Sequence, residues 1–154
     1  MASSSRPADL HIANALRLAK EDLDAAKLLT AAGNRFGAYH LQQCGEKLLL
    51  ALLTAEGQHA ERKDSHRLDV LLDKLPSDNP FRQRFAPLTI LTMFATTYRY
   101  PKDGGRLPPM PDEARMLEWA DALGGILNDA ALHFGVDLAA SDRLGAARTD
   151  PPRL

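Results

Sequence analysis

Ala38-Tyr39-His40-Leu41-Gln42-Gln43-Cys44-Gly45-Glu46-Lys47-Leu48-Leu49-Leu50-Ala51-Leu52-Leu53 is the stretch whose reading decides the fold. Leu41, Gly45, Leu48, Leu52 and, just beyond it, Ala55 recur every three or four residues, the period of a helix buried along one side. At about 100° per residue, Phe36, His40, Gln43, Cys44 and Lys47 fall within one narrow arc, so a polar stripe runs beside the apolar one. These patterns predict a helix from about Arg35 to Glu56 with Gly57 as its C-terminal cap.

The same period extends outward. Ile12, Leu16, Ala19, Leu23 and Ala26 lay an apolar stripe along a preceding helix that Gly33-Asn34 stops, since both residues tolerate the left-handed conformation that ends helices. Downstream, Leu68, Leu71, Leu72 and Leu75 form the core face of a shorter helix, with Ser65 as its expected N-cap and Pro76 as its end. Asn79-Pro80 opens a fourth helix reaching Tyr98, with Leu88, Leu91, Ala95 and Tyr98 facing inward, and Pro87 should kink or divide it. Pro101 to Pro111 holds four prolines and two glycines, which marks an exposed connection and a candidate mobile loop. A last helix opens at Pro111-Asp112-Glu113 and runs to Gly135 with Leu117, Ala120, Gly124, Leu127, Ala131 and Phe134 as its inner face.

No period-two strand and no solenoid repeat interrupts these helices. The expected fold is all-α, an antiparallel four-helix up-and-down bundle with an additional short helix. The expected organisation is a flexible N-terminal tail over 1–8, one helical bundle over 9–136 and a flexible C-terminal tail over 137–154.

With 154 residues the chain suffices for one sizeable core and is too short for two ordinary domains. Nineteen basic residues against twenty acidic ones give a net charge of -1, so no global basic field drives nucleic-acid binding and any such contact must be local. The one cysteine, Cys44, has no intramolecular partner, and Met1 to Pro7 lacks the apolar core of a signal peptide, which leads to the expectation of a cytoplasmic protein. No apolar run approaches the roughly 18 to 20 residues that cross a bilayer, so no membrane partner is expected.

Three motifs occur in an order that resembles one known family. The Gln42-Gln43, Cys44-Gly45, Glu46-Lys47 block resembles the second-helix signature of HEPN domains. His66-Arg67-Leu68 resembles that family's third-helix start, and Tyr98-Arg99-Tyr100-Pro101 its Arg-Tyr-Pro motif. With Ala19-Lys20-Glu21-Asp22-Leu23-Asp24-Ala25-Ala26 on the first helix, the likeness spans roughly residues 10 to 134. It implies a helical bundle that binds nucleotides or RNA, works as a homodimer and partners a minimal nucleotidyltransferase in toxin-antitoxin or defence-type systems. It also implies, for many members, metal-independent ribonuclease activity through an Arg, four to six intervening residues and a His on a late helix. No Arg precedes His133 at that spacing; Arg35 and His40 have it, but at the start of the second helix.

Metal-free RNA cleavage needs a base for the ribose 2′-hydroxyl, an acid for the leaving oxygen and a cation for the charged phosphorane. His40 and Arg35 are the residues that suit those roles, and Gln43, Lys47, Arg99 and Tyr100 are the candidate nucleotide- or phosphate-binding set. The competing reading makes the polar stripe an ordinary helix-packing or dimer surface, with Lys47 paired to a nearby acid and Arg99 capping a helix C-terminus. The chain would then be a non-catalytic helical interaction module. His40 and Cys44, lacking a second pair of ligands, make a poor zinc site, so no metal or other cofactor is expected, and Cys44 reads as a packing residue.

Overall fold

The computed structural model describes residues 7–140. Of the two expected tails, 1–6 and 141–154 lie outside the described residues. Among the described residues all regular structure is helical: α1 (Pro7–Ala31), α2 (Phe36–Ala55), α3 (Leu68–Asp73), α4 (Arg82–Phe85) and α5 (Glu113–Phe134). A 3-10 helix over Ala86–Ala95 continues α4, and shorter 3-10 turns lie at Arg62–Asp64 and Asp103–Gly105.

α1 and α2 form a tight helical hairpin. Gly33 (φ 71°) takes the left-handed step that ends α1, and the Phe36 N–H donates to Asn34 Oδ1 at 2.9 Å. Gly37 lets the two helices close: a Cβ there would sit 2.7 Å from Thr30 Oγ1 and 3.1 Å from the Ala26 carbonyl. The α1 stripe read from sequence is buried at every position, as are Leu41, Gly45, Leu48 and Leu52 of α2, whereas Ala55 is exposed in the last turn.

α5 lies against both helices and ends at Gly135 (φ 67°). Its inner face keeps Ala120, Leu127 and Ala131 of the expected set and adds Met116, Trp119, Leu123, Ile126 and Ala130, while Leu117 is 45% exposed. Apolar residues occur on two sides of this helix, and the Met116–Trp119–Leu123–Ile126 line buries the larger side chains. Arg17 Nε donates to the Asp137 carbonyl at 3.2 Å, and Leu138 packs on the core, so the turn after α5 is tied back to α1.

Pro87 divides the fourth helix. The α-helix lasts only for Arg82–Phe85; beyond it, Leu88, Leu91 and Phe94 enter the core at every third position, the 3-10 repeat. The opposite edge leaves Ile90 and Met93 about half exposed. The expected Ser65 cap is replaced by a long-range one: helix α3 starts at Leu68, whose N–H donates to Thr92 Oγ1 at 3.0 Å.

The 101–111 connection is anchored rather than free. Its first half is an exposed turn closed by the Lys102 N–H donating to the Arg106 carbonyl at 2.7 Å, with Gly104 and Gly105 at positive φ. Its second half brings a buried Pro108 and a half-buried Met110 onto the bundle.

Candidate functional site

The polar stripe of α2 does not stand alone in a groove; it is joined to α1 through Asp22. Lys47 Nζ donates to Asp22 Oδ2 at 2.5 Å, and His40 Nδ1 lies 2.8 Å from Asp22 Oδ1. A carboxylate only accepts, so Nδ1 carries the hydrogen, and in the neutral ring Nε2 is left as the acceptor. Lys47 also donates to Gln43 Oε1 at 3.3 Å. From there the seam continues: Gln43 Nε2 donates to Gln42 Oε1 at 2.8 Å, and the fully buried Gln42 donates to Glu46 Oε1 and to the His66 carbonyl, each at 3.2 Å. His66 Nδ1 closes it at 2.9 Å from Glu46 Oε1. The seam therefore holds two His–carboxylate pairs, two glutamines and one lysine, each satisfied by a neighbour in the same chain.

Cys44 sits behind this seam, fully buried. Burial, reinforced by the nearby Asp22 charge, pushes its thiol up to about 12, which keeps it out of nucleophilic chemistry.

Arg99 lies elsewhere. It rims a cleft of about 190 Å³ whose walls are Phe36, Tyr39, Phe94, Ala95 and Tyr98. Phe94 stacks on Tyr98 at 6.0 Å between ring centroids, and Phe36 meets Tyr98 edge-on at 6.1 Å. Behind the cleft wall, Phe94 contacts Trp119 at 5.7 Å, and the Arg115 guanidinium covers the Trp119 ring at 5.2 Å. The exposed Arg99 side chain has no hydrogen-bonding or ionic partner among the described residues. Cleft and seam meet at adjacent residues, since the Tyr39 and His40 rings are in edge contact at 5.2 Å.

The remaining two sequence-derived candidates separate from His40. Arg35 Nη1 donates to the Pro108 carbonyl at 2.5 Å, beside Tyr98, whose hydroxyl donates to the Pro109 carbonyl at 3.1 Å. Burial raises the Tyr98 phenol above its ordinary value against the opposing effect of Arg35, so it remains a donor. Arg35 is thus a clamp on the loop; five residues from His40, it projects roughly 140° away around the helix. Tyr100, 77% exposed, does not line the cleft.

Sequence reading placed His40, Gln43 and Lys47 on one stripe and, in its competing form, paired Lys47 with a nearby acid, but it did not identify Asp22 as that acid or His66 as part of the seam. The spacing within α2 shows which residues share a face, but it carries no information on which α1 residue opposes them. Of the cleft aromatics, Phe36 and Tyr98 were placed on their helix faces by the same period, whereas Tyr39 and Phe94 were not singled out, because Phe94 reads as core on any helical period. A larger open groove of about 470 Å³ along α1 and Leu138–Ala140 includes the exposed ion pair Lys20–Asp24 and shares no lining residue with the seam or the cleft.

A family model described as HEPN domain matches residues 13–122. That interval contains α1 from its second turn through the first turns of α5, and with them the whole seam and cleft. Neither curated proteins nor solved structures yield a match.

Proposed function

The chain belongs to the HEPN domain family, and from that membership we propose that it is a nucleotide- or RNA-binding subunit that partners a nucleotidyltransferase in a toxin-antitoxin or defence-type system. The observation that carries the binding reading is Arg99: an exposed cation without a partner among the described residues, at the rim of an aromatic cleft. A nucleotide offers the complementary pair, a flat base for the aromatic walls and a phosphate for a guanidinium fork. We read the architecture as an up-and-down four-helix bundle whose fourth member is α4 with its 3-10 continuation, and the half-exposed Ile90 and Met93 support a homodimer contact on that segment.

Metal-independent ribonuclease activity is the catalytic extension of this reading. Its support is the Asp22–His40 contact, which fixes the ring and leaves Nε2 to take or give a proton. With Arg35 bonded to Pro108, the phosphate-steadying cation in this scheme is Arg99, whereas Gln43 and Lys47 hold the seam.

Binding of a labelled nucleotide by the purified chain, compared across Arg99→Ala and Lys47→Ala, tests the reading. Losing one charge-assisted contact of about 1.5–3 kcal/mol weakens binding by roughly ten- to a hundredfold, so Arg99→Ala should show that loss with helicity intact. Unchanged affinity in Arg99→Ala rejects the cleft as the site. RNA cleavage in chelator, present in the parent and absent in His40→Ala, tests the catalytic extension.

A further inference from the structure

The stretch beyond Arg99 runs against the charge of the rest of the molecule. From Arg99 to Pro111 the chain carries three cations, Arg99, Lys102 and Arg106, against the single acid Asp103, while the whole protein is at -1. All three basic side chains are exposed and have no partner among the described residues. Unpaired like charges on one short segment repel one another, and they gain most from a ligand that brings several negative charges at once.

Two features hold these cations together at one end of the bundle. The Lys102 N–H donates to the Arg106 carbonyl, a closure that Gly104 (φ 82°) and Gly105 (φ 79°) allow, so Lys102 and Arg106 stand side by side across the turn. The base of the loop is fastened by Arg35 to Pro108 and by Tyr98 to Pro109, and Tyr98 is itself a wall of the cleft. Lys102 follows Arg99 by three residues, which limits their Cα separation to about 11 Å. Between them stands Tyr100, the most exposed aromatic ring among the described residues, with no ring contact. Cations alternating with open aromatic faces are what a single strand needs, with phosphates on the former and unstacked bases on the latter.

Resting on the nucleotide reading of the cleft, we propose that the Lys102/Arg106 turn is a second phosphate-contacting element, and that with Arg99 and Tyr100 it extends the cleft into a track for single-stranded RNA. One unpaired base occupies the cleft, and the phosphates that follow it lie on Arg99 and then on the turn. A mononucleotide reaches Arg99 alone; only a strand of several nucleotides reaches the turn. Duplex RNA, whose bases are stacked and paired, cannot supply the base that enters the cleft.

The test is fluorescence anisotropy of a labelled 12-nucleotide single-stranded RNA with the full chain over a salt series, alongside AMP binding by calorimetry. Variants are Lys102→Gln/Arg106→Gln, Lys102→Arg/Arg106→Lys and Arg99→Ala. In the Gln pair, RNA affinity should fall by tenfold or more near 0.1 M salt. The slope of log K against log salt should become shallower by about 1.4, two phosphate contacts at about 0.7 each. AMP affinity should stay at the parent value, and the charge-conserving pair should keep the parent slope. Because these side chains support nothing in the fold, the circular dichroism of every variant should match the parent. An unchanged slope and affinity in the Gln pair overturns the track; if Arg99→Ala still loses AMP, the cleft reading stands without it. RNA that binds no more tightly than AMP also overturns the track, and a parent protein that binds neither ligand overturns both readings.

Discussion

Asp22 and Lys47 are 25 positions apart in sequence and 2.5 Å apart in the fold, and the same carboxylate holds His40 through its other oxygen. One acidic residue on α1 therefore sets the side-chain positions of two residues on α2. The pair is mostly shielded, with Asp22 only 13% exposed, so it is screened less than a surface ion pair, and removing the acid strands a largely buried ammonium.

Asp22→Ala should lower the stability of the domain by about 1–3 kcal/mol, read as a lower urea midpoint with an unchanged m-value. Asp22→Asn, which keeps an acceptor, should lose less. A midpoint that does not move in either variant would show that the seam contributes nothing to the fold.

Two glycines should respond oppositely to the same substitution. At Gly37 a Cβ meets the Ala26 carbonyl at 3.1 Å and Thr30 Oγ1 at 2.7 Å, and a backbone atom cannot step aside, so Gly37→Ala should cost about 1–3 kcal/mol by forcing the hairpin apart. At Gly124 the nearest atom is Leu23 Cδ2 at an ordinary 3.5 Å, so Gly124→Ala should gain about 0.5–1 kcal/mol from helix propensity. Thermal unfolding of both variants gives the signs.

Thr92→Val should cost about 1 kcal/mol, because the Leu68 N–H at the start of α3 loses its acceptor. Thr92→Ser should recover most of it. Hydrogen exchange at the α3 amides should quicken in the valine variant and stay near the parent rate in the serine variant.

Cys44 should be silent toward thiol reagents in the native protein. With its ionisation pushed up to about 12, the thiolate is scarce at pH 8, and burial blocks the reagent as well. The labelling rate with an aromatic disulfide should therefore follow unfolding, rising steeply through the urea transition. Fast labelling at zero urea would contradict this packing.

Helix existence was legible wherever one side of the period was apolar and the other was not, as in α1 and the Leu68–Leu75 segment, whose inner residues are the buried ones. The existence of α5 was equally legible, but its inner face only in part: Ala120, Leu127 and Ala131 are buried as expected, whereas Leu117 is exposed and Met116 and Leu123 are buried in its place; an Ala- and Gly-rich helix presents two plausible stripes, and packing volume selects between them. The divided fourth helix was anticipated from Pro87, but its 3-10 continuation was not, since positions 88, 91 and 94 satisfy either period locally. For the site, residue type and helical phase were sufficient to gather His40, Gln43 and Lys47. The pairing of Asp22 with His40 and the clamping of Arg35 on Pro108 are consequences of chain contacts 18 and 73 positions apart. No local pattern encodes those.

The protein's one tryptophan packs against the back of Phe94, and Phe94 is a wall of the cleft. This places an intrinsic chromophore one ring away from any occupant, shielded from bulk water and covered by Arg115. The molecule thus carries its own optical gauge: ultraviolet emission from a single indole can follow filling of the cleft in the unmodified chain, with no dye attached and no signal from a second tryptophan to subtract.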